Sequence, residues 1–146
     1  MFKHRIAMLA VIALPQAILA PVTVTTFHAE VQFNRDVRPI LSNRCFPCHG
    51  PDAKARKANL RLDIREGALA QRKLGAAVVP GKPGDSLLVQ RIRHADAEER
   101  MPPATKGERL SDADIDTLVR WIEQGAHWQG HWAFEAVEVV PPPVGE

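Results

Sequence analysis

Apolar positions along the chain form one continuous block and a few periodic stripes. The block covers residues 6–14 (IAMLAVIAL), behind a positive head of Lys3, His4 and Arg5 and ahead of Pro15 and Gln16. A charged head followed by an apolar run of this length is the pattern of a secretory signal. We read residues 1–29 as an export signal, with periplasmic export as the expected destination. A buried helix and an uncleaved membrane anchor are the alternatives. Pro15, Gln16 and Pro21 interrupt residues 6–24, which suits poorly a span needing about 20 apolar residues.

The stripes begin at residues 33–44, where Val37, Ile40 and Leu41 fall at i, i+3, i+4 and predict a short helix. Asn34 or Asp36 is its candidate cap. Pro39 places its regular part late, because proline is tolerated only in a first turn. Residues 50–52 read as a turn and 54–57 as a solvated basic loop. The alternation in 60–63 (LRLD) suggests a short extended segment, and 64–74 a weak helix. Pro80-Gly81 and Pro83-Gly84 punctuate a loop. Asp85 or Ser86 then caps a helix bearing Leu87, Leu88, Arg91 and Ile92, and the polar stretch 95–110 is loop.

The clearest helix is the last. Ser111 caps it, Asp114 gives an acidic first turn, and Ile115, Leu118, Val119 and Ile122 follow at i, i+3, i+4, i+7 beside Trp121. Gly125 supplies its stop. Residues 131–146, ending in Pro141-Pro142-Pro143 and Val144-Gly145-Glu146, have linker composition. The expected organisation is thus a signal (1–29), one domain (30–130) and a Pro-rich tail (131–146). A chain of 146 residues sustains one core.

Charge narrows the function. The 19 Lys+Arg and 17 Asp+Glu give +2, with no basic block, so there is no electrostatic footprint for nucleic acid. Lys3 and Arg5 are the only charged residues before Glu30, so without the signal the 19 basic residues become 17 and match the acidic ones. Docking of a partner through a strong single-sign field is therefore not expected. Membrane contact is expected only if the N-terminal segment stays uncleaved.

The two cysteines are too few for a disulfide scaffold. They stand in Cys45-Phe46-Pro47-Cys48-His49, a C-x-x-C-H run of the kind that attaches c-type haem. Two thiols on one turn can add to two vinyl groups, and the adjacent His49 is placed to ligate iron. A structural zinc site, a dithiol redox motif and a plain Cys45–Cys48 disulfide are the competing readings. Zinc wants four ligands, and no second C-x-x-C or H-x-x-H pair exists. A dithiol motif wants a preceding strand, where this chain has a helical pattern.

A haem that carries electrons needs a second axial ligand. Met101, in Arg100-Met101-Pro102-Pro103, is the only methionine after the signal and lies in a loop stiffened by two prolines. Its alternative role is core filling. His94, His127 and His131 are the rival ligands, and an open sixth position is the remaining option. Lys54, Arg56, Lys57 and Arg61 are candidate partners for haem propionates, with simple solvation the favoured alternative.

In order along the chain, these motifs resemble the Planctomycete cytochrome C domain family, a small class I-like cytochrome c. The matching stretches include FNRDVRPIL at 33–41, CFPCHGPD at 45–52, LRLD at 60–63, VPGKP at 79–83, ERMPP at 99–103, WIEQGA at 121–126 and HWAF at 131–134. The resemblance covers about residues 31–134. It implies an all-α fold of helices and loops wrapped around one covalently attached haem c, with Cys45 and Cys48 as attachment sites, His49 as proximal ligand and Met101 at the distal position. The implied activity is one-electron transfer with an unidentified redox partner protein, not enzymatic turnover. A haem peroxidase and a haem sensor or tethering module are the alternatives. Family domains of this kind usually stand at the N-terminus of longer exported proteins, before a Pro-rich linker. A chain ending at Glu146 is then expected to be a stand-alone carrier or a truncated reading of a longer gene.

Overall fold

The structure is a computed structural model that describes residues 29–130. The expected signal (all but Ala29) and the Pro-rich tail, with His131, lie outside the described residues. Among the described residues about two-fifths are helical and none is in a strand. The all-α expectation therefore holds. No described helix is long and apolar enough to cross a membrane.

The first element departs from a simple helix. Phe33–Val37 is a π-helical turn that runs into α1, Arg38–Arg44, with Pro39 in the first turn of α1. Placing the proline there removes no helical hydrogen bond, as its late position in the pattern requires. Neither Asn34 nor Asp36 acts as the expected cap. Asn34 spends its backbone N–H on Gln129 Oε1 (2.8 Å) and its amide on the Gly130 carbonyl (2.8 Å). Asp36 instead reaches back to accept the Gln32 N–H at 2.9 Å. Val37 and Leu41 are fully buried, and Ile40 packs against them.

After Cys45 comes a single helical turn, α2, Phe46–His49. Residues 60–63 do not form a strand. Leu62 is buried and donates to the His49 carbonyl at 2.8 Å, so the alternation reports an inward-facing side without a partner strand. The weak helix expected over 64–74 shrinks to α3, Arg65–Leu69. Beyond it the chain turns, and Arg72 donates to the carbonyls of Ala58 and Asn59 at 3.0 Å each.

A 3-10 turn, Pro83–Asp85, leads into α4, Leu87–Ile92. Ser86 stands at the N-cap position, yet its side chain does not cap. Its wholly buried hydroxyl accepts the Val79 N–H at 2.9 Å and donates to the Lys82 carbonyl at 3.0 Å, stapling the loop instead. The last helix, α5, Asp112–Glu123, follows expectation closely. Ser111 Oγ accepts the Asp114 N–H at 3.1 Å, and Ile115, Leu118, Val119, Trp121 and Ile122 are buried. Gly125 follows with φ +101°, the left-handed conformation that glycine adopts at no steric cost.

The core forms where α5 packs against Phe33–Val37 and α4. Phe33, Trp121 and Trp128 stack with ring centroids 4.3–5.6 Å apart. Trp121 Nε1 donates to the His127 carbonyl at 2.9 Å, and Val31 N–H to Gln124 Oε1 at 2.8 Å. These contacts fix both ends of the domain on one side, leaving α2, α4 and the loop after it to frame a cavity.

Candidate haem site

The C-x-x-C-H run folds as one helical turn entered from α1. Cys45 N–H donates to Leu41 O at 2.8 Å, and His49 N–H to Cys45 O at 2.7 Å. With Cys45, Cys48 and His49 at i, i+3 and i+4, both thiols and the imidazole share one helical face. Gly50 ends the turn because nothing larger fits. A Cβ there would lie 2.4 Å from the Phe46 carbonyl oxygen and 2.8 Å from its Cβ. The following loop folds back on the motif. Lys57 N–H donates to Cys48 O at 2.8 Å, and the Arg56 guanidinium donates to the carbonyls of Gly50 (2.9 Å) and Pro51 (2.7 Å).

A largely apolar cavity of about 740 Å³ opens beside this turn. Cys45, Cys48 and His49 line it on one side, with Leu60 and Leu62 from the folded-back loop. Leu87, Leu88 and Ile92 of α4 line it as well, and Met101 with Pro102 and Pro103 completes the surround. The α4 stripe read from the sequence is thus a cavity wall. The structure brings Cys45, Cys48, His49 and Met101 to one cavity. His94 and His127 do not line it; both are exposed, His94 accepting the Asp96 N–H on Nδ1 (3.2 Å). His131 lies outside the described residues.

Electrostatics suit the side chains for this wall. Burial pushes the His49 imidazole below its ordinary value, and the Arg72 charge adds to that effect; the Lys57 backbone partly offsets it. A neutral imidazole is the form that binds a metal. His49 Nδ1 is buried with no hydrogen-bond partner, an orphan that the protein's own groups leave unexplained. Burial raises the Cys45 thiol to about 12, outweighing the nearby Arg44, so it stays protonated and uncharged. Both cysteines are free thiols.

The fit to a haem rests on these features together. The cavity is apolar and falls in the range that holds a cofactor. Two free thiols and a neutral imidazole with an orphaned nitrogen share one wall, and a thioether stands on the same cavity. A zinc site fits less well. Among the described residues no three His, Cys, Asp or Glu side chains converge so as to hold a metal ion.

The cations near the motif and the cations at the cavity are different residues. Lys54, Arg56, Lys57 and Arg61 do not line the cavity. Arg56 braces the motif loop, and Arg61 pairs with Asp63 at 2.7 Å. The cations that do line it are Arg44, Arg72, Lys73, Arg91 and Lys106. Arg44 was findable, since it precedes Cys45. Arg91 was too, since it lies on the Leu87/Leu88 face of α4. Arg72 sits in a turn with no periodic signal.

A helical turn carrying two thiols and an imidazole on an apolar cavity, in an all-α domain, defines the class of cytochrome c domains. Residues 45–105 match the family model described as Planctomycete cytochrome C, which supports the resemblance carried by the motifs. That match points to haem-binding electron transfer as the activity of this class. No curated protein and no solved structure matches the chain.

Proposed function

We propose that the chain is an exported mono-haem c-type cytochrome domain that transfers one electron at a time. The observation that carries this reading is the convergence of Cys45, Cys48, His49 and Met101 on one apolar cavity while His94 and His127 stay outside it. Cys45 and Cys48 would hold a haem by thioethers, each thiol's sulfur and hydrogen adding across one vinyl group with no leaving group, and His49 and Met101 would ligate its iron. When bound, the haem supplies an Fe(III)/Fe(II) couple, and a methionine ligand raises its potential. Leu60, Leu62, Leu87, Leu88 and Ile92 line the cavity and would exclude water from that group.

Residues 1–29 carry the signal for export to the periplasm, where a covalent tether keeps a haem that would not be replaced. The equal number of acidic and basic residues after that signal favours docking of a redox partner protein through local contacts. Nothing in this scheme requires turnover of a substrate.

The test is the absorption spectrum of the chain matured by a haem-attachment system. A low-spin spectrum that becomes high-spin in Met101→Ala is expected. A high-spin ferric spectrum in the unaltered chain, with turnover of peroxide, would replace electron transfer by an open-coordinate enzyme.

A further inference from the structure

We propose that Arg91 and Glu99 form a clasp that sets how firmly Met101 holds its place at the cavity, making Arg91 a positioning residue for the distal ligand. The inference rests on the reading of Met101 as that ligand. Arg91 lies in the last turn of α4, on the wall it shares with Leu87 and Leu88. Its backbone carbonyl accepts the Met101 N–H at 3.0 Å. Its guanidinium, through Nη1, donates to the Glu99 carbonyl at 3.2 Å and is ion-paired with the Glu99 carboxylate. One residue therefore grips the Met101 loop at three points, by its main chain and its side chain. Just upstream, Arg100 N–H donates to Asp96 O at 2.9 Å.

The physical consequence concerns the effective concentration of the thioether. A ligand on a tethered loop competes with external ligands in proportion to how well the loop is held in register. The segment from Ala95 to Leu110 contains no regular helix, so its order depends on such anchors. An exposed ion pair alone would contribute little. Here the same guanidinium also holds a backbone carbonyl, so its loss frees main chain and not merely a side chain. Arg91 and Glu99 side chains are 35% and 54% exposed, so salt should weaken the clasp.

The experiment uses the haem-loaded ferric chain and measures, by optical titration, the affinity for added imidazole, which must displace Met101. Met101→Ala sets the fully open limit. Arg91→Gln is expected to tighten imidazole binding by about tenfold, the effect of losing a charge-assisted hydrogen bond. Glu99→Gln should tighten it by a smaller factor. The double variant should match Arg91→Gln, because both substitutions break one device. High salt should move the unaltered chain toward the variants, and Arg93→Gln, which removes a charge from the next turn, should leave the affinity unchanged. Should Arg91→Gln fail to mature, the exposed Glu99→Gln carries the test. Unchanged affinity in Arg91→Gln and Glu99→Gln, beside tighter binding in Met101→Ala, overturns the clasp and leaves the Met101 reading standing. If Met101→Ala binds imidazole no more tightly than the unaltered chain, the ligand assignment fails and the clasp with it.

Discussion

Arg44 Nη2 donates to the Glu108 carbonyl at 2.6 Å, so the residue before the first cysteine is tied to the chain that follows the Met101 loop. A second contact, to the Arg109 carbonyl at 3.3 Å, reinforces the tie. The two sides of the cavity are thereby joined outside the apolar core. Arg44→Ala is expected to cost about 1 kcal/mol of stability, in line with one exposed hydrogen bond to a charged donor. Urea unfolding followed by tryptophan fluorescence measures this. A stability equal to that of the unaltered chain would show that the tie contributes nothing.

Gly50 is the position where the motif tolerates least. Because an added Cβ would meet the Phe46 backbone at 2.4 Å, Gly50→Ala must displace the turn that carries Cys48 and His49. A loss of about 1–3 kcal/mol is expected from such overpacking. The yield of haem-attached protein should fall with it. Comparison of haem absorbance per polypeptide in the two proteins decides the matter.

Ser86 offers a contrast, since its hydroxyl serves the fold and not the cavity. In Ser86→Ala the part-buried Val79 N–H loses its partner, the fully buried hydroxyl of Ser86, at a cost of about 1–2 kcal/mol. The haem spectrum should not change. A spectral shift in this variant would mean that the loop stapled by Ser86 reaches the ligands.

Acid should dissolve the Arg61–Asp63 ion pair. The Arg61 guanidinium holds the Asp63 carboxyl below its ordinary 3.8, against the opposing effect of burial. A carboxylate with a depressed folded value contributes stability that is present above the unfolded value and lost as pH falls through the folded one. Asp63→Asn should therefore be less stable than the unaltered chain near neutrality. The difference should vanish as pH drops well below 3.8. Unfolding curves collected across that range would reveal a constant gap if the pair were not responsible.

Local chemistry was legible in the sequence, and through-space chemistry was not. The i, i+3, i+4, i+7 stripe of α5, its Ser111 cap and its Gly125 stop all depend on neighbours within two turns, and the structure reproduces them. The C-x-x-C-H spacing is likewise confined to one turn. The alternation at 60–63 misled, because Leu62 answers to the His49 carbonyl and not to a strand. Ser86 occupies a cap position, but tertiary contacts with Val79 and Lys82 claim its hydroxyl. Of the cations after the motif, Arg56 braces the loop that folds back on it and Arg61 pairs with Asp63. Those lining the cavity come from four separate stretches of chain, which no short-range pattern could join.

Everything about the site depends on Cys45 and Cys48 carrying a haem by covalent bonds. Acid-acetone extraction of the purified chain, after maturation with a haem-attachment system, tests this most directly. Haem absorbance should remain with the precipitated polypeptide, and should be lost when both cysteines are replaced by alanine. Haem that passes wholly into the acetone from the unaltered chain would contradict the account.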